Sequence, residues 1–267
     1  MTPIAFVGAG KMATAMIEGW LKNGSGDPRS LIVCSRQGKS AEALADRLGV
    51  SKVSDAATAV RMSAAVVLAC KPQQIAELAA SLRPVLHGQP VLSILAGTRL
   101  ARLRTLLPEA GPIIRSMPNR PGQIGQGVTP YAPESTLPPE VLAWVEGVLS
   151  PLGAHFSIEE RHLDAVTGIS GSGPAYVFEF IAALRDGGIA EGLDSATSLR
   201  LALQTVSGAA ALLEMSGDAP EIQRDAVVSP NGTTAAALAR LTEGGFRPLV
   251  EDAVRAATRR SRELSSD

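Results

Sequence analysis

The chain is poor in the residues that most often carry metal, redox or nucleophilic chemistry. Its 267 residues include two cysteines, Cys34 and Cys70, and three histidines, His87, His155 and His162. Two cysteines cannot build a disulfide framework. The histidines do not fall at metal-ligand spacing with them, so no metal site is expected. Aromatic residues are 3% of the chain, too few for base-stacking platforms. Neither sign of charge dominates: 25 basic and 26 acidic side chains leave a net charge of -1. No global field draws nucleic acid or an anionic membrane, and neither is expected as a partner. No apolar run of about 18 residues is free of charge. The most apolar stretch, residues 199–215, still holds Arg200, Gln204 and Glu214. Met1 to Gly10 carries no basic leader segment, and the expectation is a cytoplasmic protein. Lysine is absent from residues 163–267.

What the chain has is alternation. Apolar runs at 4–7, 31–34, 66–69, 91–95 and 113–116 read as strands, and helical patterns at 11–23, 40–48, 73–82 and 100–107 separate them. Residues 23–28 read as a loop by composition. Such order predicts a parallel sheet covered on both faces. From about residue 160 the patterns are helical only. Helices are expected over 174–185, entered by Pro174 and closed by Gly187-Gly188, and from Asp194 or Ser195 to about Met215, stopping at Gly217. Two more are expected over 233–241 and 248–263. The long helix is small or apolar nearly all round, which predicts burial against a second subunit. The expected organisation is an α/β Rossmann-like dinucleotide-binding domain over 1–160 and an all-α domain over 161–267 for substrate binding and dimerisation.

Gly8-Ala9-Gly10-Lys11-Met12-Ala13 follows the first strand and opens the first helix. This is the dinucleotide fingerprint with alanine in third place: a tight turn, a glycine the pyrophosphate can approach, and a small residue for helix–strand packing. Amides of the first helical turn, at Lys11 and Met12, then face the anion. Its packing alternative is a βα turn with no ligand. At the end of the second strand, where an NAD site places an acid, the chain offers Ser35-Arg36. A hydroxyl and a guanidinium suit a 2′-phosphate, so NADPH is favoured over NADH. Ala69-Cys70-Lys71-Pro72 ends the next parallel strand at the ligand crevice. There Lys71 reads equally as a phosphate contact or an exposed lysine, and Cys70 as a small buried residue rather than a nucleophile.

Two later segments read as turns into helices with hydroxyls and amides turned outward. One is Ser170-Gly171-Ser172-Gly173-Pro174-Ala175-Tyr176, and the other is Ser229-Pro230-Asn231-Gly232-Thr233-Thr234. Ordinary N-capping explains either alone. Together with one dinucleotide fingerprint they point to a small acidic substrate beside the nicotinamide.

At these segments the chain resembles the pyrroline-5-carboxylate reductases over nearly its whole length. The matching stretches are Val7 to Ala13, Lys71-Pro72-Gln73, Ala96-Gly97-Thr98, Arg115 to Asn119, Ser170 to Tyr176, Ser229 to Thr234 and Gly244 to Arg247. The resemblance implies hydride transfer from NAD(P)H to the C=N bond of 1-pyrroline-5-carboxylate, giving L-proline. It implies a homodimer with interlocked helical domains, with assembly to decamers in some members. It places the substrate carboxylate on Ser229, Gly232 and Thr233, the ring nitrogen at Thr234, further substrate contacts at Ser170 and Ser172, and a cofactor contact at Asn119. The chain departs from the family at Asn231, where many members have glycine, at Arg120, where many have threonine, and near Asp55-Ala56, where an asparagine is common. A reductase of the hydroxyacid-dehydrogenase type would place a catalytic lysine on a helix of the second domain, where this chain has none. A non-catalytic NADP sensor and a reductase of another cyclic imine are the other readings.

Overall fold

A computed structural model describes residues 3–22, 24 and 26–265. Asn23 and Ser25, in the expected loop, lie outside the described residues. The first part runs β1 (Ile4–Val7), α1 (Lys11–Lys22), β2 (Leu31–Cys34), α2 (Lys39–Leu48), β3 (Ser51–Lys52), α3 (Ala56–Arg61), β4 (Ala65–Leu68), α4 (Ile75–Leu82), β5 (Val91–Ser93), α5 (Leu100–Leu106) and β6 (Ile113–Ser116). It continues through β7 (Gly127–Pro133), α6 (Pro139–Leu149) and β8 (Gly153–Ser157). The sheet order is β3-β2-β1-β4-β5-β6-β7-β8. The first six strands are parallel in the doubly wound order, with the chain reversing direction of travel between β1 and β4.

Strand residues alternate between two cores. Ala5, Val7, Val66 and Leu68 face α3, α4 and α5, while Ile4, Phe6, Val67 and Leu92 face α1, α2 and α6. Burial on both faces is why these strands read as continuous apolar runs. The wholly parallel expectation needs one correction: β7 runs antiparallel to β6, and β8 pairs parallel with β7. Pro130 and Pro133 interrupt the strand signal of β7, and β8 is mostly exposed, so neither announced itself.

The helical part comprises α7 (Leu163–Val166), a π-helical turn at Thr167–Gly171, α8 (Gly173–Ala190), α9 (Ser195–Ser216), α10 (Pro220–Ala226), α11 (Thr233–Glu243) and α12 (Phe246–Leu264). Asp194 caps α9 by accepting from the Ala196 and Thr197 amides (both 3.0 Å), and Gly217 ends it in the left-handed conformation. Pro174 is the second residue of α8, so this helix is entered by a proline as expected. One expectation is corrected: Gly187-Gly188 does not close α8, which runs on to Ala190. Gly188 serves close packing instead: a Cβ there would lie 2.8 Å from Ser198 Oγ of α9.

By contacts the chain divides into residues 1–172 with 255–267, and residues 173–254. Sequence pattern placed the change at 160/161. The contact boundary at 172/173 falls where the π turn hands over to α8, and that at 254/255 falls inside α12, so neither coincides with the change from strands to helices near residue 160. No helix among the described residues is long and apolar enough to cross a membrane.

Candidate functional site

The glycine turn is built as its spacing requires. Gly8 adopts φ +114°, and a Cβ there would collide with the Ala69 carbonyl and lie 2.7 Å from Cys70 N. The turn is tied down on both sides by Gly8 N–H to Cys34 O (3.0 Å) and Ala69 N–H to Val7 O (2.9 Å). Around a Cβ on Gly10, by contrast, nothing lies within 4 Å. One glycine therefore lets strands approach, and the other leaves open space before the helix. Ala13 is buried at 1%, the close helix–strand contact that asks for a small third residue. Thr14 N–H donates to Gly10 O (2.9 Å), so the amides of Lys11, Met12 and Ala13 precede the intrahelical ladder. A cleft of about 480 Å³ opens beside them, lined by Gly10, Lys11, Ser40 and Gln123 among others. Ser40 and Gln123 were not singled out from the sequence. Only the folded chain brings them beside Lys11.

At the end of β2, Ser35 Oγ accepts from Ala41 N–H (3.3 Å), and Arg36 is exposed. Asp55, whose charge reaches Cys34 at that strand end, is committed elsewhere. It caps α3, accepting from Thr58 N–H (2.8 Å), Ser54 Oγ and Thr58 Oγ1 (both 2.9 Å). The Thr58 amide first, then the two hydroxyls, hold its carboxyl below the usual range. The residues present thus fit a dinucleotide with a 2′-phosphate: an open approach at Gly10, uncommitted helix amides, and a hydroxyl and guanidinium where a ribose-binding acid would otherwise stand.

Burial pushes the thiols of Cys34 and Cys70 up to about 11, so both are protonated and neither is a nucleophile. Lys71 is exposed, and its N–H donates to Gln74 Oε1 (3.3 Å). Asn119 uses its Oδ1 to accept from Val128 N–H (3.0 Å) and its carbonyl to accept from Gly122 N–H (3.1 Å), which holds the loop before β7. Among the described residues no cluster of three His, Cys, Asp or Glu is placed to hold a metal ion.

The Ser170–Tyr176 segment differs most from expectation. Ser172 N–H donates to Thr167 O (2.8 Å), a π-helical bond, and Ser170 Oγ donates to Val166 O (3.0 Å). The outward amides read from the sequence are therefore not there. Pro174 follows the π turn in the first turn of α8, where its missing N–H removes no ladder bond. Ser172 lines a second cavity of about 480 Å³, together with Pro72, Gln73, Thr98, Thr167 and Ser261. A cofactor candidate, Pro72, and a substrate candidate, Ser172, thus share one cavity. Thr98, from the Ala96–Thr98 stretch, and Ser261, which no sequence pattern marked, form part of its wall.

The Ser229–Thr234 segment is a true helix entrance. Gly232 N–H donates to Ser229 O (3.0 Å), Asn231 sits at φ +59°, and α11 begins at Thr233 with Gly232 as its cap. Asparagine tolerates the left-handed region that glycine fills in many family members. A Cβ at Gly232 would collide with Ser229 Oγ. No side chain caps the helix, so its first amides and the hydroxyls of Thr233 and Thr234 stand at an open N-terminus.

Comparison with known proteins decides what these two constructions belong to. Residues 160–264 match the model for pyrroline-5-carboxylate reductase dimerisation, and residues 3–97 match that for NADP oxidoreductase, coenzyme F420-dependent. A pyrroline-5-carboxylate reductase of Synechocystis is 40% identical, over 98% of this chain and 97% of that protein.

The chain belongs to the pyrroline-5-carboxylate reductase family.

Among solved structures, a pyrroline-5-carboxylate reductase from Coxiella burnetii superposes with a TM-score of 0.92 at 31% identity, covering 99% of this chain and 98% of that one. The enzyme of Plasmodium falciparum, solved with NADP bound, superposes with a TM-score of 0.87 at 27% identity, covering 99% and 98%. Family membership thus spans the open glycine turn and the uncapped helix alike.

Proposed function

We propose that the chain reduces the C=N bond of 1-pyrroline-5-carboxylate to give L-proline, the last step of proline biosynthesis. The observation that carries this reading is the uncapped N-terminus of α11, where Gly232, Thr233 and Thr234 follow Ser229. A helix start with free amides and two hydroxyls is a carboxylate site, and the substrate is a small cyclic imino acid. Ser229, Gly232 and Thr233 clamp the carboxylate. The Thr234 hydroxyl bonds the ring nitrogen and orients the C=N carbon. Ser170 Oγ is held by Val166 O, so its part is to shape the helix, while Ser172 contributes from the cavity wall.

When bound, NADPH supplies the hydride. Gly8, Gly10, Lys11 and Met12 seat its pyrophosphate, and Ser35 and Arg36 its 2′-phosphate. Ala69, Cys70, Lys71 and Pro72 line the sheet edge beyond. Asn119 supports that edge through its loop. Arg36 makes NADPH the preferred cofactor and NADH the poorer one. Residues 163–267 hold no lysine and no histidine to serve as a dedicated acid. The imine takes its proton from water before it binds, and protonated imine is the better hydride acceptor.

The exposed apolar faces of α8 and α9 are covered by a second copy, which makes the working unit a homodimer, with decamers as a further assembly. The setting is the cytoplasm. The test is direct: purified protein, NADPH or NADH, and 1-pyrroline-5-carboxylate, followed by nicotinamide absorbance and by proline formed. Proline formation with NADPH ahead of NADH supports the reading. NADPH binding without turnover overturns it in favour of a sensor or another imine.

A further inference from the structure

The reductase reading leaves one costly feature without a role. Arg115 of β6 is 3% exposed, and Asp164 of α7 is buried beside it. Buried charges persist only when they are paired and hydrogen-bonded. Here the pairing gathers distant parts of the chain. Asp164 Oδ1 lies 3.7 Å from the Arg115 guanidinium and accepts from Ser261 Oγ (2.8 Å) and Ser265 Oγ (3.2 Å), both at the C-terminal end of the chain. Its other oxygen lies 3.9 Å from Arg99. Arg115 also pairs with Glu160 (3.1 Å), which in turn accepts from Leu100 N–H (2.7 Å).

Two of these partners adjoin the cavity that holds Pro72 and Ser172. Ser261 is part of its wall, so Asp164 stands one hydrogen bond behind that wall. Arg99 and Leu100 directly follow the Ala96–Thr98 turn, which forms another part of it. Gly97 turns there at φ +71°, and a Cβ on it would lie 3.3 Å from Leu264 O. The end of α12 therefore backs the turn, and the Asp164 carboxylate fixes the end of α12. Asp164 also stands in α7, which runs into the π turn that carries Ser170 and ends at Ser172, so a shift at the carboxylate passes along that turn.

We infer that Asp164 is a positioning residue for the reduction: through Ser261 and Arg115 it holds the Ala96–Thr98 turn and the Ser172 helix in register at the cavity. It touches no reacting atom. Its effect is on geometry, and displacements of about 1 Å near a reacting centre lower rates by up to about 100-fold. The inference rests on the reductase reading.

Ser261→Ala tests it gently, because it removes one donor without leaving a charge unpaired. The expected result is a kcat lower by about 5- to 10-fold, unchanged NADPH affinity measured by nicotinamide fluorescence, and faster amide hydrogen exchange at Thr98–Leu100. Ser261→Thr, which keeps the hydroxyl donor to Asp164, restores both kcat and protection. Asp164→Asn gives the larger loss of kcat where it folds. A Ser261→Ala protein with wild-type kcat overturns the inference. So does a loss that Thr fails to restore. Wild-type protein that binds NADPH but leaves the imine unreduced overturns the reductase reading instead, and the positioning role then stands or falls on the exchange rates alone.

Discussion

Residues 4–163 and residues 173–254 solve the same problem of apolar surface in opposite ways. In the first region nearly every large apolar side chain lies in one of two cores on either side of the sheet. In the second the only buried apolar residue is Ala202, and Leu201, Leu203 and Leu212 are about half exposed while Met215 is 86% exposed. The sheet region closes over its own cores, with the end of α12 packed onto it. The helical region presents more apolar surface than a lone unit keeps in water, which is the condition for association. Its match to a dimerisation model is the counterpart of that surface. A dinucleotide fold that closes on itself and a helical fold that does not divide the labour: one supplies the glycine turn, the other the open helix entrance at Thr233.

Substitutions separate the two regions, and the largest effect belongs to the core. Leu92→Ala, at a fully buried site on β5, costs about 2–5 kcal/mol, read as a fall in the denaturation midpoint that does not change with protein concentration. A concentration-dependent loss would mean that the sheet region, too, needs a partner. Leu203→Glu on α9 has the converse signature. Association weakens by about 100-fold or more, near 3 kcal/mol, in sedimentation, while NADPH binding survives. An unchanged assembly would remove this face of α9 from the interface. Thr234→Ala lowers kcat by about 10- to 1,000-fold and leaves NADPH affinity and assembly as they were; unchanged kinetics would take Thr234 out of the mechanism.

The smallest effect is a titration. The Thr197 hydroxyl first, then the Thr197 and Ala196 amides, lower the Asp194 carboxyl below its ordinary value. A carboxylate with a depressed folded-state pKa stabilises α9 above the unfolded value of about 3.9, and that contribution disappears as pH falls through the folded one. Asp194→Asn keeps an acceptor at the cap but removes the titration. Helical circular dichroism in acid then loses part of its pH dependence, and an identical acid profile would show that the cap does not control the helix end.

Much of the sheet region was legible because its signals are local. Val66 to Leu68 is a continuous apolar run since both faces are covered, and Gly8, Gly10 and Ala13 state the turn by spacing alone. The missed elements lacked such signals. β3 is two residues long, β7 carries Pro130 and Pro133, and α10 is a single short helix. The two serine-glycine segments show the limit most sharply. Ser229–Thr234 and Ser170–Tyr176 share turn residues and a nearby proline, yet one opens a helix from a non-helical turn and the other passes into one from a π turn. Local residues permitted both. Contacts decided between them: Met117 packs against Gly171, where a Cβ would lie 2.8 Å from its methyl, and Asp164 anchors the helix from the preceding turn.

The sequence by itself determined the strand–helix alternation, the dinucleotide turn, the change to helices and the family, because each is written in neighbouring residues. Only the tertiary structure decided that Gly188 serves packing rather than termination, and that Asp164 meets Arg115, Ser261 and Ser265. Those outcomes join residues as much as 101 positions apart. Burial and charge pairing select such contacts after the chain has folded, and no local pattern encodes them.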